Sequence, residues 1–264
     1  MEDLSHYNPE GSDLRRAQKR MLEILDVFDA ICRKHNINYW LISGTLLGAR
    51  RHGGFIPWDD DLDVAVLRSD YEKLLSILKD ELPSNLKLQH KGTDENYWLH
   101  WAKIRDTQSR YYEKGTELDN LHHIGIFIDI FSLEPVPSIQ FKKFVDKFVL
   151  SENRFKKAKS LYEITKYTIM ISFLPIIQIL IKLTRIYYKY ISNSKLYSYS
   201  YGIFYYAKYN MKYFLPASEI VFEGKSFKAP NNIDKYLTDK FDSNFMVIPK
   251  PAKRRTHALK IEFL

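Results

Sequence analysis

The chain has 264 residues, 45% of them hydrophobic and 27% charged, a composition that belongs to ordinary globular proteins and excludes intrinsic disorder. Its length suits one large domain, or a domain with a helical appendage. A net charge of +8 and a pI near 9.2 imply anionic partners, a description that nucleic acid, a membrane surface and phosphate-bearing substrates all meet.

The opening stretch MEDLSHYNPEGSD is polar and lacks the charged start and apolar core of a signal peptide, so a cytoplasmic location is expected. From Asp13 onward, Met21, Leu22, Leu25, Phe28 and Ile31/Cys32 recur at helical spacing. Cys32 is the only cysteine, so no internal disulfide is possible; inside this pattern it reads as a small buried hydrophobe. Tyr39 to Ile42 is a short extended run, followed by SGT, the apolar turn LLGA and RRHGGF. From Asp61 polar and apolar residues alternate, which predicts a strand with Asp61 and Asp63 on one face. SDYEKLLSILKDEL predicts a helix opened by Ser69 or Asp70 and closed before Pro83. Leu86 to Gln89, Tyr97 to Ile104 and Ile124 to Phe131 are expected to be further strands.

This alternation predicts an α+β fold (α/β mixed), with a mixed sheet flanked by helices. The character changes near Gln140. FKKFVDKFVLSENRFKKAKS is basic with a helical pattern, and the apolar TIMISFLPIIQILIKL follows it. The expected division is therefore 1–140 as the core and 141–264 as a mostly helical region whose tail returns to the core. The apolar segment is interrupted by Pro175 and Gln178 and ends at Lys182, short of the ~20 apolar residues of a spanning helix. Two readings of this region stay open: docking on the inner face of the cytoplasmic membrane, or an internal helical subdomain. The Tyr-rich stretch from Tyr187 to Tyr213 has no internal repeat, and the tail reads as loop, short helix, loop.

Asp59, Asp60, Asp61 and Asp63 stand within five positions. Two like charges 4 Å apart repel by roughly 4 kcal/mol at an effective dielectric near 20, so folding them together calls for a cation. Mg²⁺, or Mn²⁺ in its place, suits such oxygens and commonly uses one or two protein carboxylates plus the oxygens of a phosphate substrate. The plainer alternative is a solvated acidic turn after Pro57. Upstream, Ser43, Gly44 and Thr45 precede an apolar turn, and a Gly-Thr pair opening a helix can hold phosphate on free backbone N–H groups. In GIFIDIF, Asp129 shares a strand face with Gly125 and Phe127. Such an Asp needs a partner, so it is a candidate metal ligand or proton acceptor.

YNPEGSDLRRAQKRMLEIL, NINYWLISGTLLGARRHGGFIPWDDDLDVAV and GIFIDIF together resemble the LicD family, related to fukutin. The likeness covers roughly the first half of the chain; beyond Gln140 it is looser, in PNNIDKYL and the closing KRRTH. It implies a nucleotidyltransferase-like fold and transfer of phosphocholine from CDP-choline to a sugar hydroxyl of a surface glycan, be it lipopolysaccharide, teichoic acid or a lipid-linked precursor. Related members imply glycerol phosphate or ribitol phosphate as the group moved. The resemblance carries Gly44 and Thr45 onto the phosphate cradle and Asp61, Asp63 and Asp129 onto the metal site, with Ser43 beside them.

Lys103 and Arg105 alternate in WAKIRDT and are candidates for the donor phosphates, with a solvated basic edge as the alternative. Arg50, Arg51 and His52 lie between the Gly-Thr turn and the Asp cluster, where Arg50 is expected to help hold the donor by its charge, and Trp58 is a candidate face for a choline cation. One Cys and scattered His offer no zinc spacing. His257, near Arg254 and Arg255, is read either as reaching the site or as part of a loose basic end. A template-independent nucleotidyl-adding protein is the rival, but no RNA-binding motif accompanies the charge, so no nucleic-acid partner is expected. The oligomeric state is left open.

Overall fold

Helix α1 (Asp13–Lys34) begins where the Ser12 side chain accepts the Arg15 N–H, and it buries Ala17, Met21, Ile24, Leu25, Phe28 and Cys32 along one stripe. The computed structural model describes residues 2–113, 120–192, 196–254 and 256–264. After α1 come β1 (Tyr39–Leu41), α2 (Ser43–His52), β2 (Asp63–Leu67) and α3 (Arg68–Glu81). Then follow β3 (Leu86–Gln89), β4 (Ala102–Asp106), β5 (Ser109–Glu113) and β6 (Phe127–Pro135). Four helices succeed them: α4 (Ile139–Val149), α5 (Ser151–Lys156), α6 (Leu161–Ser172) and α7 (Leu174–Tyr190). The chain continues through β7 (Leu196–Tyr199), β8 (Tyr209–Asn210), β9 (Ser218–Phe222), β10 (Lys225–Ala229), α8 (Ile233–Phe241) and β11 (Ala258–Phe263). The fold is α+β, as expected.

Contacts divide the chain into two units, and the division differs from a single break at residue 140. The first unit is Met1–Tyr97, Trp101–Ser132 and Lys212–Leu264; the second is Trp98–His100 and Leu133–Met211. The last fifty or so residues of the chain thus pack with the first unit, because β9, β10, α8 and β11 find their partners there.

In the first unit the sheet runs in the order β1-β2-β6-β4-β3. β1 with β2, β4 with β6 and β3 with β4 are antiparallel, and Lys103 stands opposite Asp129. Val64, Ala65 and Val66 are all buried, so β2 is covered on both faces. β9 and β10 form a hairpin across Glu223 (φ 50°) and Gly224 (φ 79°), the two positive angles that match strand twist in a two-residue turn. β5 and β11 form a second two-stranded ribbon.

Several boundaries differ from expectation. β2 starts at Asp63, leaving Asp61 in the connection before it. α3 starts at Arg68 with no side-chain cap, one residue before Ser69, since the strand runs straight into it. Of the expected strand Tyr97 to Ile104, only the part from Ala102 pairs, and β4 runs on to Asp106. The Tyr97 N–H closes a turn on the Asp94 carbonyl, which takes the aromatic run out of the ladder. β6 begins at Phe127 and runs on to Pro135. β5 and β11 were not expected: the tail was read as loop, short helix, loop, and of these the short helix is α8.

In the second unit the end of β6 pairs with β7, which pairs with β8. Its core gathers Val136, Val145, Ile177, Ile181 and Tyr201. A buried ion pair, Lys142 Nζ to Asp146 Oδ2 at 2.5 Å, is completed by the Gly202 N–H on Asp146 and the Ile203 carbonyl under Lys142. Among the described residues no single helix is long and apolar enough to cross a membrane; α6 and α7, bent by 46°, reach that length and composition only together.

Candidate active site

The site is built where α2 meets β2. Ile42 precedes α2 without a side-chain cap, so no side chain of the preceding residue covers the helix start. Ser43 takes a φ of 50°, a left-handed value uncommon for a residue with a side chain and of a kind found at functional turns. The Ser43 N–H donates to the Tyr236 hydroxyl of α8 at 3.0 Å. Thr45 Oγ1 accepts the Asp63 N–H at 2.8 Å, and the Ile42 N–H donates to the Asp63 carbonyl. Gly44 leaves room for Asp59: a Cβ there would stand 2.7 Å from Asp59 Oδ2, and that side chain would have to shift.

Asp129 joins this group because its N–H donates to the Leu62 carbonyl, between Asp61 and Asp63. Its Oδ1 accepts the Trp101 indole N–H at 2.7 Å and lies 3.0 Å from Lys103 Nζ. Lys103 also faces Glu113 at 3.5 Å and sits over the Phe127 ring at 3.2 Å. Arg105 donates to Gln89 Oε1, the Gly125 carbonyl and Glu113. Both cations are buried, so the solvated-edge alternative does not hold.

The carboxylates strain against one another. Burial, reinforced by Asp61 and Asp129, pushes the Asp63 pKa well above the ordinary range. Burial also carries Asp61 up to about 6, with Asp60 and Asp129 adding to it while His257 and Lys103 oppose. Asp129 is raised mainly by burial, and Asp59 is raised by burial and by its three Asp neighbours. This is excess negative charge held in a poorly hydrated place, and two oxygen-bearing groups of this kind fit a hard divalent cation. Among the described residues, no three His, Cys, Asp or Glu side chains converge into a complete cage. The expected triad of Asp61, Asp63 and Asp129 is therefore not preassembled, and Asp129 is already engaged by Trp101 and Lys103.

Asp60 plays a different part. It is buried, and its carboxylate accepts the His257 N–H at 2.7 Å and the Ala258 N–H at 2.6 Å, with His257 Nδ1 3.0 Å away. Burial raises its pKa, yet these hydrogen bonds more than offset that and leave it below the ordinary value. The same contact lifts His257 to about 9. His257 is thus held at the cluster, 3.8 Å from Asp61, and is not a loose end; Arg255 lies outside the described residues.

Two expected donor residues are occupied elsewhere. Arg50 pairs with Asp234 at 2.8 Å on the surface. Trp58 is buried beneath the Arg254 guanidinium, 4.8 Å from its ring, with Tyr7 edge-on at 5.3 Å. Its cation-binding face is taken by the protein's own cation. Sequence reasoning missed Lys240 of α8, whose charge is felt by Asp63, as well as Tyr236. No local pattern marks either.

A family model described as LicD/FKTN/FKRP, nucleotidyltransferase domain, matches residues 36–173. The chain belongs to the LicD family. Among its relatives is the lipopolysaccharide cholinephosphotransferase LicD of Haemophilus influenzae, 36% identical over 127 residues, which are 47% of this chain and 46% of that protein. The ribitol-5-phosphate transferase FKTN of Mus musculus is 32% identical over 108 residues, 41% of this chain and 23% of that protein. The ribitol 5-phosphate transferase FKRP of Homo sapiens is 53% identical over 34 residues, 13% of this chain and 7% of that protein. The chain spans less than half the length of these curated relatives. The LicD family match contains Ser43, Gly44, Thr45, Asp61, Asp63 and Asp129.

Proposed function

We propose that this chain is a phosphotransferase that moves phosphocholine from CDP-choline to a sugar hydroxyl of a surface glycan. The observation that carries the reading is the pair Asp61 and Asp63 beside the start of α2, whose pKa values burial and neighbouring carboxylates raise, with Asp129 hydrogen-bonded to the backbone between them. Asp61 and Asp63 would hold Mg²⁺ or Mn²⁺, which supplies charge neutralisation for a donor pyrophosphate when bound. The start of α2 binds donor phosphate through backbone N–H groups, assisted by the helix dipole. Thr45 fixes the backbone of Asp63, and Lys103 with Trp101 fixes Asp129.

In the reaction the acceptor oxygen forms a bond to the phosphorus that carries choline, and the bond from that phosphorus to the CMP oxygen breaks. The hydroxyl proton goes to Asp129 Oδ2, and CMP leaves with the bonding pair. Positioning and neutralisation are the main contributions of the protein. Phosphocholine is preferred because the cholinephosphotransferase relative aligns over the longest stretch of the three compared; ribitol phosphate is the second reading, favoured by the FKTN and FKRP likeness.

A titration of CDP-choline, CDP-ribitol, CDP-glycerol and CDP-ethanolamine in the presence of Mg²⁺, on wild type and Asp63→Asn, tests this without an acceptor. Selective binding of one donor, weakened in the variant, supports the reading and names the group transferred. Binding of a nucleoside triphosphate in place of all four would move the function to nucleotidyl transfer.

A further inference from the structure

Helix α7 is apolar on two opposite sides. One side supplies Ile177 and Ile181 to the core of the second unit, packed with Val136, Val145 and Tyr201. The other carries Ile176, Ile179, Leu183, Ile186 and Tyr190 at steps of three, four, three and four residues, a single stripe on a helix. The stripe is open: Ile176 is 62% exposed, Ile179 59% and Leu183 57%. α6 has no buried residue of its own, and Leu161, Tyr162 and Ile169 on it and Phe173 at its end are exposed. An apolar surface of this extent on an isolated protein marks a contact with something else.

The charge says what that something is. Residues 139–190 hold eleven Lys and Arg against three Asp and Glu, so this segment carries the whole +8 of the chain and the remaining residues balance. Of its acids, Asp146 is buried against Lys142. Lys166, Lys182 and Lys189 stand on the same helices as the stripe, and Arg154, Lys156, Lys157 and Lys159 lead into them. A second copy of this chain would bring like charge against like charge, whereas an anionic lipid surface attracts it. Apolar residues with Lys and Arg alongside and Tyr near the ends are the composition of helices that lie in a bilayer interface.

We propose that α6 and α7 form an anchor that lies flat in the headgroup region of an anionic membrane. Spanning is disfavoured by the lengths of 12 and 17 residues, against the ~20 that a crossing requires. The far side of α7 is committed to the protein core, which holds that helix at the surface of the fold.

The test is co-sedimentation of the full chain with vesicles of phosphatidylcholine alone and of phosphatidylcholine mixed with phosphatidylglycerol. It is run on wild type and on Ile179→Asp with Leu183→Asp, both exposed positions, with circular dichroism and size-exclusion chromatography with light scattering in parallel. The expected result is binding to the anionic vesicles, weakened by added salt and reduced by more than about tenfold in the folded double variant. No pelleting of wild type with either vesicle, or equal pelleting of both proteins, overturns the proposal. A wild-type dimer that the variant converts to monomer, with no vesicle binding by either, also overturns it and assigns the stripe to a second copy.

Discussion

The hydroxyl of Thr45 accepts the Asp63 N–H at 2.8 Å, which ties the third residue of α2 to the first residue of β2. Thr45 is buried, so Thr45→Val keeps the volume and leaves that N–H without its acceptor. The expected loss is about 1–3 kcal/mol of stability, read by chemical denaturation, together with weaker donor binding. Thr45→Ser keeps the acceptor and should retain donor binding, which separates the hydrogen bond from packing.

Arg15 holds Glu223 through two contacts, at 2.7 and 3.1 Å, and the Phe55 N–H donates to the same carboxylate at 3.1 Å. Burial works against the ion, but these bonds keep the Glu223 pKa below the ordinary Glu value. With the folded pKa depressed, the unfolded chain takes up the proton first. The stabilisation is therefore complete above about pH 4.3 and is lost as pH falls through the folded value. Urea midpoints followed from neutral to acid pH should show a shallower acid limb in Glu223→Gln, with about 1–3 kcal/mol lost at neutrality. An unchanged acid limb would assign acid sensitivity to other carboxylates.

Gly125 lies where β6 is about to begin, and a Cβ there would sit 1.8 Å from the Asp106 carbonyl oxygen, a backbone atom that cannot rotate away. Gly125→Ala should cost at least the ~3 kcal/mol at the top of the usual overpacking range. Soluble yield and melting temperature are the readouts, with a fall of several degrees or more expected.

Lys103 is shared by Asp129 and Glu113 inside the protein. Lys103→Met removes the charge and keeps a flexible apolar stem, so buried Asp129 loses its cation while half-buried Glu113 keeps Arg105. A loss of about 3–5 kcal/mol is expected. Adding Glu113→Gln should recover part of it in a double-mutant cycle, since one of the two carboxylates that faced Lys103 is then neutral. Additive losses would mean that Lys103 and Glu113 do not couple.

What could be read from the sequence was what is local. The stripe of α1 and the strand Leu86 to Gln89 follow from periodicity alone, and both are present at the expected places. Thr45, Asp61 and Asp63 lie within one supersecondary unit, so their spacing carried a signal. The ribbon of β5 and β11 pairs residues 109–113 with 258–263, and neither partner announces the other. Lys240 reaches Asp63, and Tyr236 the start of α2, from a distant part of the chain, and nothing near either residue signals it; for His257 the sequence left two readings open, and the structure decides for the site. Trp58 was drawn from a chain with 16 Phe and 19 Tyr, where an aromatic ring says little about its role; the structure gives it to Arg254.

The two backbone N–H groups on Asp60 come from residues 257 and 258. A ribosome must therefore release almost all of this sequence before that buried carboxylate finds its donors and the acidic cluster can settle. A truncated product ending near residue 250 would keep the long helices and most of the sheet in its sequence, yet strand a charge at its centre. Such a fragment should be marked out for degradation, because it lacks the two N–H groups that hold Asp60.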